Sequence, residues 1–427
     1  MKKKSLLFCL CASLALCACG GGEEPGVDPN PEPVEDNSPI LEFEDPALEA
    51  CLLATQSVEW NGQTYVIQVD KNGDGKISQM EAEAVKVLAL SDIQYYLSED
   101  IYSLDGLEYF KNLEYLDFSY RIYGLGCTID VSPFRSLKHL RLWGEIGSLD
   151  VSRNTELEYL ECSSCRLTTL DVTHNPALEV LLCNDNGMAT LDVSQNAALK
   201  ELVCSNNPLI VLGINQNKAL KRLECDGCKL SFLDVTGNPA LETLWCHSNA
   251  LSSLDVSQNA SLSYLNCNSN AEITSLDVSH NPALSVLECA GCRLSTVDVS
   301  GNAQLRELVC GNTSELTALD VSHNPQLRIL WCDNSPISRL ELSRNPELVN
   351  LSCYGTLIEH LDLGIHKKLQ RFCPVNWNDY SPDGLYINPS LACPLKTLVL
   401  SREARLVEHN MEVLAKVYPD LVITYAD

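Results

Sequence analysis

The chain has 427 residues, with 57 acidic against 30 basic side chains and a formal net charge of −27. An excess of that size argues against nucleic acid and against anionic membrane surfaces as partners, and favours solubility and cationic or calcium-bridged partners. Twenty-one cysteines suggest a disulfide framework until they are placed along the chain.

Lys2, Lys3 and Lys4 precede an apolar run from Leu6 to Leu16, too short to span a bilayer as a helix, and then Leu16-Cys17-Ala18-Cys19. This resembles a bacterial lipoprotein signal with Cys19 as the acylated residue. Cys17 is the alternative acceptor, but it would put the large Leu16 before the cut, where a small residue is expected; an ordinary cysteine-rich secretory signal is the other reading. Loss of the three lysines takes the mature chain to about −30. No later apolar run is long enough to span a membrane, so lipid is the expected anchor. Residues 20–39, "GGGEEPGVDPNPEPVEDNSP", are too rich in Pro, Gly and acid to bury a core and read as a disordered tether. Glu23 and Glu24 resemble the acidic residues that follow the acylated cysteine in lipoproteins bound for the cell exterior. The resemblance implies an outer-membrane lipoprotein on the cell surface.

Residues 40–90 read as an N-terminal cap. Asp45-Pro46 starts a helix with Leu48, Cys51 and Leu52 on one face, and Asn61-Gly62 joins two strand-like runs as a hairpin. Next come Asp70, Asn72, Asp74, Gly75, Lys76, Ser78 and Glu81 at the spacing of a twelve-residue calcium loop. Calcium takes hard oxygen donors: Asp70, Asn72 and Asp74 offer side-chain oxygens, Lys76 its carbonyl, Ser78 a water-mediated contact and Glu81 a bidentate carboxylate, while Gly75 permits the sharp turn. This resembles an EF-hand loop. A strand enters it in place of the usual helix and no second loop pairs with it, so a structural clip is expected and not a sensor. The same Ser78–Glu81 spacing also fits a helix capping box.

Early repeat units read at 86–91 and 104–119, and an irregular segment around 120–128 interrupts them. From Leu149 one phrase recurs. "LDVSRNTELEYLECSSCRLTT" restarts at Leu170, Leu191, Leu212, Leu233, Leu254, Leu276, Val297, Leu319, Leu340 and Leu361, a step of 21 residues with two steps of 22. So short a period means a solenoid. In each L-x-x-L-x-C, the second Leu and the Cys point inward from a short strand, and stacking at about 4.8 Å makes a parallel sheet with a continuous core. The pattern L-x-x-L-x-C-x-x-N/C-x-L resembles the leucine-rich repeat, in the variant with an LDVSxNPxL tail, over residues 87–372. The resemblance implies a horseshoe or arc with its parallel sheet on the concave face and small α/β caps at both ends. Residues 91–373 then form the repeats and 374–427 the C-terminal cap, with a long loop at 374–393, a strand "KTLVLS", a helix over 402–418 with Leu406, Asn410, Val413, Leu414 and Val417 on one side, and "LVITY". That order reads as a cover for the open sheet edge.

The repeat absorbs most of the cysteines. Ten, from Cys162 to Cys353, hold the inward position and act as small hydrophobes. Cys165, Cys228 and Cys292 replace the turn asparagine, three units apart and out of bonding reach. Cys9, Cys11, Cys17 and Cys19 lie in the signal, so Cys51, Cys127, Cys373 and Cys393 remain; an oxidising compartment would allow a Cys373–Cys393 bridge across the long loop, and the sequence leaves that open. The spacing does not suit zinc, and the C-x-x-C pairs follow from the repeat alone. The aspartates of LDVS, Asp150, Asp171, Asp192 and onward, read as turn formers bonded to the residue two on, as do Asn154, Asn175 and Asn196 of S-x-N.

No nucleophile elbow, zinc-protease helix or phosphate loop is present, so binding is expected and not catalysis. The outward strand positions tile the concave surface. Trp245, Tyr264, Val286, Val309, Ile329 and Trp331 read as one apolar and aromatic patch across four steps, roughly 19 Å, with His247 and Tyr354 beside it. Similarity to internalin-type repeats implies a protein ligand, host surface proteins among the candidates; stacked Trp and Tyr also suit a glycan, and a passive envelope scaffold is a third class. The chain is expected to act as a monomer.

Overall fold

The recurring phrase builds one turn of a solenoid, and the turns stack in register. The structure, a computed structural model, describes residues 36–90, 101, 103–122, 129–373, 376–377, 387–388, 392–404 and 408–426. The signal with Cys19, most of the tether, Cys127, Leu406 and most of the segment around 120–128 lie outside the described residues.

Helix α1 (Pro46–Leu53) starts where expected, because the Asp45 carboxylate accepts the Ala47 and Leu48 N–H groups at 2.8 and 3.4 Å. Strands β1 (Gln56–Trp60) and β2 (Gln63–Ile67) pair antiparallel about Asn61 and Gly62, whose φ values of 51° and 73° are those of a tight hairpin turn. Helix α2 (Gln79–Ala84) follows the acidic loop and opens on a complete Ser78–Glu81 capping box.

Strand β3 (Val87–Ala89) begins the main sheet. After it come β4 (Tyr115–Ile122), β5 (His139–Gly144), β6 (Tyr159–Glu161), β7 (Val180–Leu182), β8 (Glu201–Val203) and β9 (Arg222–Glu224). The sheet continues through β10 (Thr243–Trp245), β11 (Tyr264–Asn266), β12 (Val286–Glu288), β13 (Glu307–Val309), β14 (Ile329–Trp331) and β15 (Asn350–Ser352). Then follow β16 (His360–Leu363), β17 (Arg371–Cys373), β18 (Asn376–Trp377), β19 (Ile387–Asn388), β20 (Thr397–Ser401), α3 (Glu408–Val417) and β21 (Val422–Ala426). Strands β3 to β15, with β17 after them, form one 14-stranded sheet in chain order. Its pairings within the strict repeats are parallel and put equivalent positions side by side, as Leu244 with Leu223 and Leu265.

Three buried columns run the length of this stack. The strand leucines and the ten ladder cysteines are at most 1% exposed. The residue two after each ladder cysteine, from Ser164 to Gly355, has φ between 51° and 70°, which explains why Ser, Asp, Asn or Gly stands there. The third column is asparagine: Asn154, Asn175, Asn196, Asn217, Asn238, Asn259, Asn281, Asn302, Asn324 and Asn345 are wholly buried. Each donates Nδ2 to two carbonyls of the preceding turn, as Asn238 does to Ile214 and Asn217 at 3.0 and 2.9 Å. These side chains therefore fasten turn to turn; reading them as local turn formers understated their reach. His366 takes the next place in the column, and burial pushes its pKa below the ordinary value.

The turn cysteines do the work of the asparagines they replace. Asn186 donates to the Cys162 carbonyl at 2.9 Å, and Cys165, Cys228 and Cys292 donate their thiols to the carbonyls of Leu142, Cys204 and Cys267 at 3.5, 3.5 and 3.3 Å. The LDVS aspartates behave as expected: Asp171 accepts from the Thr173 hydroxyl at 2.6 Å and the Thr173 N–H at 2.9 Å, and such bonds hold these exposed carboxyls below the usual carboxylate range.

The C-terminal end differs from expectation in two respects. Within the long loop, β18 and β19 form a short antiparallel pair. Strands β20 and β21 extend a separate parallel sheet on β16, the LDVS segment of the last turn, so the concave sheet gains no strand from the cap. Helix α3 lies against β17, and Leu414 supplies its buried contact. The Cys373–Cys393 bridge that the sequence left open does not form, since neither cysteine is in a disulfide. Cys373 is in register with Ser352, on the concave side, whereas Cys393 lies in the core against Cys353 and, at 3.7 Å, the Tyr418 hydroxyl.

Candidate functional site on the concave face

Three outward columns follow from the register. The first runs Thr243, Tyr264, Val286, Glu307, Ile329, Asn350; the second Trp245, Asn266, Glu288, Val309, Trp331, Ser352. Two residues further along each turn stand His247, Asn268, Ala290, Gly311, Asp333 and Tyr354. The apolar patch read from the sequence is therefore divided, because its members belong to two columns and Glu288 and Glu307 stand between them.

One half is a pair. The Trp245 and Tyr264 rings meet at 5.7 Å, tilted by 41°, and the Tyr264 hydroxyl donates to Glu288. Asn266 and Asn268 also donate to Glu288, at 3.1 and 2.9 Å, so Val286 borders a polar network and not open apolar surface. His247 lies 3.4 Å from Asp226.

The other half is a hollow of about 320 Å³ walled by Val309, Trp331, Asp333, Ser352, Tyr354 and Arg371. Small residues, Ala290 and Gly311, stand where other turns carry His247 or Asn268. Gly311 is required by packing, since a Cβ there would lie 2.7 Å from the Asp333 backbone N and O. Trp331 is 40% exposed, Tyr354 half-buried and Val309 nearly covered. The Asp333 carboxylate is buried, and this raises its pKa to about 6 against the opposing bonds from Ser352 Oγ (2.6 Å) and Tyr354 N–H (3.1 Å). Ile329 flanks the hollow in the first column and does not line it.

The acidic loop is closed on itself. Glu81 Oε1 accepts the Lys71 and Asn72 N–H groups at 2.9 and 3.3 Å, and Oε2 accepts Ser78 N–H at 3.0 Å. Asp70 accepts Gly73 and Gly75 N–H at 2.7 and 2.9 Å, Asn72 accepts Asp74 N–H at 2.8 Å, and Asp74 accepts Lys76 N–H at 2.8 Å. The donors are hard oxygens of the kind calcium takes, but they are occupied by the loop's own amides. Among the described residues no three His, Cys, Asp or Glu side chains converge closely enough to hold a metal.

No protein-family model matches the chain, and no curated protein matches it. Solved structures do. The functional domain of InlJ from Listeria monocytogenes, described as including a cysteine ladder, is similar with a TM-score of 0.62 and 29% identity over 76% of each chain. A Leptospira interrogans leucine-rich-repeat protein gives 0.60 at 22% identity over 81% of this chain and 97% of its own. The L. monocytogenes internalin InlF gives 0.52 at 20% identity over 84% and 92%. This chain has the leucine-rich-repeat fold.

A second feature of this leucine-rich-repeat sheet was missed in the sequence. Trp60 of the hairpin meets Tyr115 at 5.4 Å, Tyr115 stacks on His139 at 4.4 Å, and His139 on Tyr159 at 4.0 Å. Beside them Arg141 bridges Asp117 and Glu161 at 3.2 and 2.9 Å, and Tyr159 donates to Glu161 at 2.9 Å. Burial, with Arg141 nearby, pushes the His139 pKa down to about 3, so the ring stacks as neutral imidazole. Aligning "LEYLDF", "LKHLRL" and "LEYLEC" would have revealed the three stacked strand residues; nothing periodic places Trp60 on them.

Proposed function

We propose that this protein is a lipid-anchored, surface-exposed leucine-rich-repeat protein that binds a protein ligand through its concave face and does no chemistry of its own. The exposed Trp331 beside the hollow carries this reading: a large aromatic ring half in water at the rim of a concavity is a ready binding anchor. Trp245→Ala combined with Trp331→Ala should lower saturable binding to arrayed host proteins by about tenfold or more. Unchanged binding would place the site elsewhere, and saturation on glycan arrays alone would favour a polysaccharide ligand. For location, protease treatment of intact cells should cut within residues 20–39 and release the domain; protection until lysis would place it in the periplasm.

Asp70, Asn72, Asp74, Lys76, Ser78 and Glu81 are proposed to take one calcium ion that braces the N-terminal cap, supported by the all-oxygen donor set at EF-hand spacing. Calorimetric titration should show one site with a Kd of about 10⁻⁴–10⁻³ M, lost in Asp70→Ala, and calcium at about 1 mM should stabilise the cap by roughly 0.4–1.4 kcal/mol. No uptake and an unchanged melting curve would leave the loop closed by hydrogen bonds alone.

A further inference from the structure

The concave face between β10 and β15 carries three carboxylates and no lysine or arginine at any outward position. Glu288, Glu307 and Asp333 form no ion pair among the described residues, whereas Arg222 on β9 is bonded to Glu201 and Glu224 at 2.8 and 2.6 Å. Both donors to Asp333 go to Oδ1, which leaves Oδ2 without a donor in the described structure. Trp331 stands beside this carboxylate and Tyr354 follows across the hollow, so a negative charge and two electron-rich rings share one cavity. Arg371 of β17 also lines the hollow and is engaged in an interaction of its own.

We propose that the hollow walled by Val309, Trp331, Asp333 and Tyr354 receives a lysine or arginine side chain of a protein partner, with Glu307 and Glu288 drawing the neighbouring basic residues along the sheet. This rests on the concave face being the binding face. A cation there meets carboxylate and ring together, and the apolar wall of Val309 covers its methylene stem. An anionic partner side chain would be repelled by Asp333, and a neutral donor would gain a hydrogen bond there without the charge pairing. Ala290 and Gly311 leave the room; the bulkier residues of other turns would fill it.

The probe is an N-acetylated hexalysine peptide, titrated against the whole protein by calorimetry at about 0.15 M salt, where distant charges are screened. Saturable binding at one site is expected. Asp333→Asn with Glu307→Gln should weaken it by about tenfold or more, and Trp331→Ala by about threefold to thirtyfold. Asp171→Asn with Asp192→Asn removes the same charge from LDVS turns outside the concave face and should change affinity by less than about twofold. Equal losses in the two charge-matched variants, or no hexalysine binding, would overturn the proposal. If array binding is then still lost in the tryptophan double variant, the concave reading stands and only the basic-partner inference falls. Trp331→Ala alters an exposed residue, so its result is readable even if Asp333→Asn disturbs folding.

Discussion

Asn238→Ala should destabilise the solenoid by about 1–3 kcal/mol, although the residue touches no ligand surface. Its amide is wholly buried and donates to the carbonyls of Ile214 and Asn217, both in the preceding turn. Alanine removes one of two donors from each carbonyl, since Ile214 O still accepts the Asn217 N–H at 2.9 Å and Asn217 O the Leu220 N–H at 3.0 Å, so each lost bond costs about 0.5–1.5 kcal/mol. Part of this is offset because Asn238 Oδ1 has no partner in the native state and disappears with the side chain. Asn238→Asp is the sharper test, since a carboxylate has the same shape but no N–H. It would set negative charge against two carbonyls and should cost more than alanine. Urea unfolding measures both; a loss below about 1 kcal/mol for each would show that the column contributes shape and not hydrogen bonds.

Leu244→Ala should cost about 3–4 kcal/mol, in the middle of the range for core leucines. Leu244 is fully buried between Leu223 and Leu265. Backbone bonds fix the spacing of the strands on both sides, so the neighbours cannot close in on the space left behind. Cys246→Ala, two residues on and just past the end of β10, removes only a sulfur and should cost about 1–2 kcal/mol. If the two variants unfolded at the same urea concentration, the leucine column would not be the main source of cohesion.

The repeat phrase determined the solenoid, the inward leucine and cysteine columns and the outward positions. A period of 21 residues can bury its apolar stripe only by stacking in register, and every turn then meets the same neighbours. Local rules likewise determined the Asp45 cap, the Asn61-Gly62 hairpin and the Ser78–Glu81 capping box, because each depends on atoms a few residues apart. The tertiary structure decided what has no period. It set Trp60 on Tyr115, separated Cys393 from Cys373, and paired β20 with the LDVS segment at His360–Leu363 and not with the concave sheet. It also divided the aromatic patch, since neighbours across a sheet are chosen by register and column and not by the order in which residues appear along the chain. Segments that fold back on the solenoid find their places through long-range packing, and no spacing in the sequence records where that contact falls.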